Sequence, residues 1–212
     1  MRYCLSLILL ASILTSSAQN LISGGKLKPE QAIMDIRHYT VALTVDPEHK
    51  TIKGYTEIDL ILSTPTPTIL LDLVHLYTVE KVWVNGKAVS FKHSEDLLYI
   101  NTSTEIPAGK VLIKVQYGGT PGVAARPPWD GGFTWTKDST GNPWIAVTDE
   151  GEGSKLLFPS KDHPSDEPNE GADLIITVPK GLVVAGPGLL VNVSNKKNTA
   201  TYHWKTNYTI NN

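Results

Sequence analysis

Apolar residues recur at every second position in this chain, in one segment after another. Tyr39, Val41, Leu43 and Val45 fall on one side of an extended strand. Ile58, Leu60 and Leu62 repeat the pattern, as do Val111, Ile113, Val115 and Tyr117, and then Leu174, Ile176 and Val178. Successive strand side chains point to opposite faces, so this alternation marks strands buried on one face. Beyond the N-terminal apolar run, no window offers a dozen residues with helical period. The pattern predicts an all-β fold: ten or more strands in packed antiparallel sheets, a large multi-sheet sandwich or saddle.

Turn signals divide the strands. Asn85-Gly86, between the apolar runs of VEKVWVNGKAVSF, is the strongest local sign of a tight hairpin. Further turns are expected at Asp46-Pro47, at Gly118-Gly119 and over Pro179 to Gly181, with a Pro/Thr-rich break from Ser63 to Thr68. Strand-like runs about every ten residues from Tyr39 to Trp204 predict one continuous domain. A long irregular insertion is expected from Thr120 to Pro143. Trp129 and Trp135, within it, either form an aromatic wall for a ligand or anchor the loop to the sheet.

The first residues have a different character. Arg2, an apolar run from Leu5 to Leu14 and the small residues Ser16-Ser17-Ala18 have the layout of a secretory signal peptide cut after Ala18. That run is too short to span a bilayer, and no later segment is longer. The expected organisation is a signal peptide over 1–18, a lead-in over 19–34 and a β domain over 35–212, exported to the periplasm or outside the cell. The one cysteine, Cys4, lies inside the signal, so a mature chain has no disulfide and must be held by its core. Losing Arg2 leaves 18 basic against 21 acidic residues, a net charge of −3. Such a chain has no basic field for nucleic acid or an anionic membrane. Asn101, Asn192 and Asn207 stand in glycosylation sequons, which matter only in a eukaryotic secretory pathway.

Chemistry concentrates between Thr148 and Glu170. Asp149, Glu150, Glu152, Asp162, Asp166, Glu167 and Glu170 face only Lys155 and Lys161, about five negative charges in a chain that totals −2. Such a loop can receive a cation, a metal or a substrate amine, or it is simply solvated. His163, beside Asp162, is either a metal ligand or a hydrogen-bonding partner within the turn. The six histidines show no zinc-helix spacing, and neither a nucleophile elbow nor a phosphate loop occurs. Asp149 and Glu150 are strand neighbours and would face opposite ways, which argues against a glycosidase pair. One exposed, partly desolvated carboxylate is well suited to holding an ammonium group.

Several segments resemble the N-terminal β domain of the aminopeptidase N family, zinc metallopeptidases of the gluzincin type. They are Asp35-Ile36-Arg37-His38-Tyr39 with Leu43 to Asp46 and Gly54; Ile106-Pro107-Ala108-Gly109 with Val115 to Gly119; Arg126 to Phe133; and Phe158 to Pro164 with Asp166-Glu167-Pro168 and the strand from Ala172 to Pro179. The resemblance runs from about Asp35 to Asn212. It implies that Glu150, twelve residues before Asp162, grips the free amine of a peptide. Asp149, Trp129 and Trp135 are further ligand-contacting candidates from the acidic cluster and the insertion themselves. It also implies that the zinc site, including His-Glu-x-x-His, belongs to a separate catalytic domain. No catalytic, metal-binding or cofactor-binding residue is assigned in this chain, and zinc is expected only in a complete enzyme. The leading expectation is thus a non-catalytic, truncated aminopeptidase domain that is inactive alone. Its partners would be peptide N-termini and a catalytic zinc-peptidase domain, and a docking face left bare would promote self-association. The alternative is a stand-alone sandwich that binds peptides or glycans through the Trp129/Trp135 loop. A hydrolase with its own site is the third reading.

Overall fold

The structure, a computed structural model, describes residues 23–149, 151–165 and 167–209. The expected signal peptide (1–18), the start of the lead-in, Glu150, Asp166 and the last three residues lie outside the described residues. In chain order the elements are a short helix α1 (Pro29–Ala32), β1 (Met34–Asp46), β2 (Thr51–Leu62), β3 (Thr66–Asp72), β4 (Tyr77–Val84), β5 (Lys87–Ser94) and β6 (Leu97–Ile106). There follow β7 (Gly109–Gly119), β8 (Gly132–Lys137), β9 (Pro143–Thr148), a 3-10 turn (Ser154–Leu156), β10 (Ala172–Pro179), β11 (Leu189–Asn195) and β12 (Thr199–Thr206). Among the described residues no helix is long and apolar enough to cross a membrane.

Ten strands form one sheet in the order β11-β12-β10-β1-β2-β7-β4-β5-β6-β3. Alternation does what it predicts at its centre. Tyr39 lies opposite Ile58, and Ile58 opposite Ile113, all three fully buried. The sheet curls over its own core. β3 ends the strand order, yet its Ile69 and Leu71 share the core cluster with Tyr39 and Ile113. The chain on either side of β3 is tied back to the lead-in and to the segment before β10: Ser63 donates to the Ile33 carbonyl, and Asp72 and Ser160 exchange both backbone hydrogen bonds. The sandwich expected from sequence is therefore one sheet closing on itself. Folding its β3 end over the cluster that its centre buries solves the same problem as stacking two sheets.

The sheet is mixed, where an antiparallel one was expected. β1 and β10 run parallel, Tyr39 beside Ala172 and Leu43 beside Ile176. Parallel neighbours need a long crossover, so no turn signal announces them. The Asn85-Gly86 hairpin forms with both residues at positive φ, 48° and 78°, as a two-residue turn of the primed type requires. Gly118-Gly119, expected as a turn, lies inside β7 instead. A Cβ on Gly118 would stand 2.8 Å from the Ile52 carbonyl oxygen, so close backbone approach is what demands glycine there. β3 already starts at Thr66, within the expected Pro/Thr break.

The stretch from Thr120 to Pro143 is not irregular throughout. It contains β8 and the turn to β9, a hairpin standing apart from the main sheet. Phe133 sinks into the core at 2% exposure, and Trp135 and Ile145, paired across the hairpin, pack behind it. Trp144 and Val147 remain exposed. At the far edge every β11 residue is exposed, including Leu189, Leu190, Val191 and Val193.

Candidate functional site

The acidic segment begins where β9 ends. Thr148 pairs with Gly132, which brings Asp149 beside the turn that carries Trp129. That turn is closed by Trp129 N–H and Asp130 N–H donating to the Arg126 carbonyl, and by Arg126 holding the Asp130 carboxylate at 2.9 and 3.1 Å. Gly131 touches the stems of Glu152 and Leu156 so closely that no Cβ would fit. The Asp149 carbonyl accepts from Glu152 N–H and Gly153 N–H at 3.1 and 2.7 Å. The hairpin, the Trp129 turn and the Asp149–Gly153 loop thus make one surface.

Trp129 and Trp135 part company. Trp129 is 80% exposed at the tip of its turn, a flat apolar face open to a ligand. Trp135, at the other end of the hairpin, stacks on Phe133 with ring centroids 5.4 Å apart. Trp135 is therefore an anchor, and Trp129 is left exposed. Trp144, 59% exposed on the outer side of β9, was missed because an isolated aromatic in a strand carries no signal of its direction until the register is known.

Beneath this surface the segment from Ser154 to Asp162 is bolted to the core. Tyr77 and Tyr117 donate to the Leu156 and Leu157 carbonyls at 2.6 and 2.9 Å, and Phe158 meets Tyr39 edge to face. Ser154 and Ser160 hydroxyls lie 2.7 Å apart. Lys161 reaches inward to the Met34 carbonyl, and its N–H donates to the Tyr39 hydroxyl. The Asp162 carboxylate is paired with Lys155 Nζ at 3.1 Å, accepts from Ser23 Oγ at 2.7 Å and is almost wholly buried. Its N–H donates to Asp72, which also accepts from Gln31. His163 Nδ1 is bonded to Ser165 Oγ at 2.8 Å, a contact within the turn. Asp162 and His163 thus serve the frame of the site.

Burial sets the charge behaviour of the two acids that flank this network. Asp149 is exposed at the surface, yet partial desolvation still pushes its carboxyl above its ordinary value, opposed by a backbone hydrogen bond and helped by the nearby Asp162 carboxylate. Asp72 is likewise raised by burial, partly offset by the Asp162 N–H, Lys28 and Gln31. A carboxyl raised in the fold is costly when charged, and that cost disappears as pH falls through its folded pKa towards 3.8. The stability of wild type relative to Asp72→Asn is therefore expected to rise as pH is lowered from neutrality towards 4. Paired urea titrations across that window check the sign.

On the outer face of the sheet Asp173 is bracketed by two imidazoles, His38 Nε2 at 2.9 Å and His203 Nε2 at 2.5 Å. This tie across β1, β10 and β12 joins residues far apart in the chain. Among the described residues no group of three or more His, Cys, Asp or Glu side chains could hold a metal ion. A zinc ion thus finds no ligand set in them. What the acidic surface offers chemically is the Asp149 carboxylate at the end of β9 and, on the neighbouring turn, the exposed Trp129 ring.

No protein-family model matches this chain, and no curated protein sequence is similar to it. Solved structures are. An M1 zinc metallopeptidase from Deinococcus radiodurans superposes with a TM-score of 0.63 at 21% identity, covering 82% of this chain and 39% of that one. A two-domain M1 zinc metallopeptidase bound to L-arginine gives 0.63 at 22% identity, again over 82% and 39%. Leukotriene A4 hydrolase from Saccharomyces cerevisiae gives 0.61 at 17% identity, over 90% of this chain and 29% of that one. The chain spans less than half the length of the peptidases it matches. Curled mixed sheet, β8–β9 hairpin and bolted acidic segment together have the fold of the N-terminal β domain of M1 zinc metallopeptidases.

Proposed function

We propose that this chain is the amine-recognising β domain of an exported zinc metalloaminopeptidase. In this reading Glu150 takes the ammonium group of a peptide's free N-terminus, Asp149 supports it with negative charge, and Trp129 offers a flat surface to the first residues. A catalytic zinc-peptidase domain, on the same polypeptide or another, supplies the hydrolytic step, and the β domain alone hydrolyses nothing. The observation that carries the reading is the fold likeness over 82% of the chain to M1 zinc metallopeptidases. The position of Asp149, at the end of β9 beside the Trp129 turn, supports it.

A short peptide with a free N-terminus is expected to bind the purified domain, and its N-acetylated form to bind weakly. Glu150→Gln should cut the affinity for the free amine about tenfold or more and leave the acetylated peptide unaffected, because a charge-assisted hydrogen bond is lost and nothing else. Isothermal titration of the four combinations reads this directly. Equal affinity for both peptides would sink the assignment, and release of an aminoacyl-anilide by the zinc-loaded domain would refute inactivity. The exposure of Trp129 and Trp144 favours a second reading, a stand-alone binding module. Peptide binding that ignores the N-terminus but is lost on Trp129→Ala would select it.

A further inference from the structure

A groove of about 450 Å³ lies between the β1–β2 turn and the tip of the β8–β9 hairpin, walled by Pro47, Lys50, Trp135, Lys137, Pro143 and Ile145. Its volume falls in the range of small-ligand sites, roughly 300 to 1,000 Å³. No carboxylate lines it. The acids next to it in sequence are committed to their own loops. Asp138 accepts from Thr140 N–H and Oγ1 and from Asn142 N–H and Nδ2, between 2.8 and 3.0 Å. Asp46 accepts from Glu48 N–H and His49 N–H and pairs with the His49 ring at 2.8 Å. Lys50 and Lys137 are both exposed, and neither has an ion-pair partner among the described residues. The indole N–H of Trp135 is buried without an acceptor, one of two such side-chain atoms among the described residues. That atom is closed to solvent, so a ligand in the groove meets the ring of Trp135 and not its N–H.

Lys50 adds an independent point. Its φ is +54°, in the left-handed region where glycine is unstrained and a lysine is not. The turn places that lysine at the groove's rim. We propose that this groove binds a carboxylate carried on a flat apolar group, the chemistry of a peptide's C-terminal aromatic residue, with Lys50 and Lys137 holding the anion and Trp135, Pro47 and Pro143 forming the apolar wall. The proposal does not depend on the aminopeptidase reading, and amine-blocked probes let the two fail separately.

The test uses N-acetyl-Gly-Phe with a free carboxylate, the same compound as its C-terminal amide, and inorganic sulfate, each titrated into nitrogen-15-labelled protein. The acid is expected to shift the Trp135 indole signal and the Lys50 and Lys137 amides saturably, with the amide about tenfold weaker for want of charge-assisted hydrogen bonds. Lys50→Gly and Lys137→Gln should each weaken the acid and leave the amide unchanged. Lys50→Gly should also melt no lower than wild type, so that lost binding is not lost folding. Equal affinity for acid and amide, shifts confined to other surfaces, or no shift up to the solubility limit overturns the proposal. Sulfate acting as strongly as the acid overturns the apolar half of it.

Discussion

Lys155→Met is expected to destabilise the domain by about 3–5 kcal/mol, because it strips the cation from a buried carboxylate. The Asp162 side chain is 1% exposed and its ion-pair partner is Lys155, 3.1 Å away and itself only 12% exposed. Among the described residues its other side-chain partner, the Ser23 hydroxyl at 2.7 Å, supplies one hydrogen bond and no charge. Water cannot reach the stranded carboxylate, so its desolvation is left uncompensated. Adding Asp162→Asn to the Lys155→Met background removes the charge, keeps an acceptor for Ser23 and is expected to recover most of the loss. Urea denaturation at unchanged m-value reads both effects. A loss of less than about 1 kcal/mol, the size of a surface pair, would mean that solvent reaches Asp162 after all.

The second large effect is expected at Gly153, where Ala should cost about 3 kcal/mol or more. Two penalties meet there. Gly153 has φ of +86°, and a Cβ would lie 2.1 Å from Asp162 Oδ1 and 2.5 Å from its Cγ. Gly151, two residues earlier at φ +77°, has nothing within 4 Å of its Cβ position. Gly151→Ala should therefore show the backbone penalty alone, about 1–2 kcal/mol, and the difference between the variants isolates the collision with Asp162. Because Gly153 and Lys155 both act through the Asp162 carboxylate, their substitutions should not add. Gly153→Ala is also expected to weaken amine binding, since Gly153 N–H is one of the two donors that hold the Asp149 carbonyl. A double-mutant cycle in urea, with peptide titration alongside, checks both claims.

The β class, the central strands and the Asn85-Gly86 hairpin were legible because each depends on neighbours in sequence: alternation fixes the buried face, and Asn-Gly fixes a turn. The parallel β1–β10 pair was not, since it joins Tyr39 to Ala172 and leaves no local signature. Gly118-Gly119 misled for a related reason. Glycine is demanded both by turns and by close backbone approach, and sequence does not separate the two. The β8–β9 hairpin hid in a stretch rich in Gly, Pro and Trp, where a register with Trp135 against Ile145 emerges only when Phe133 finds the core.

For the site, the sequence located the acidic segment, and the Lys155 and Ser23 contacts of Asp162 show which part of it is structural. It left Trp129 and Trp135 as equals, and only packing separated them. The Lys50/Lys137 groove was invisible, because its walls come from two turns that meet only in the folded chain. By itself the sequence determined an all-β chain, its buried faces and one acidic stretch, since alternation and charge are local properties of a polymer. Tertiary structure alone decided which strands are neighbours, which carboxylates are buried and which aromatic ring faces solvent. Those depend on long-range contacts whose free energy appears only when distant segments desolvate one another.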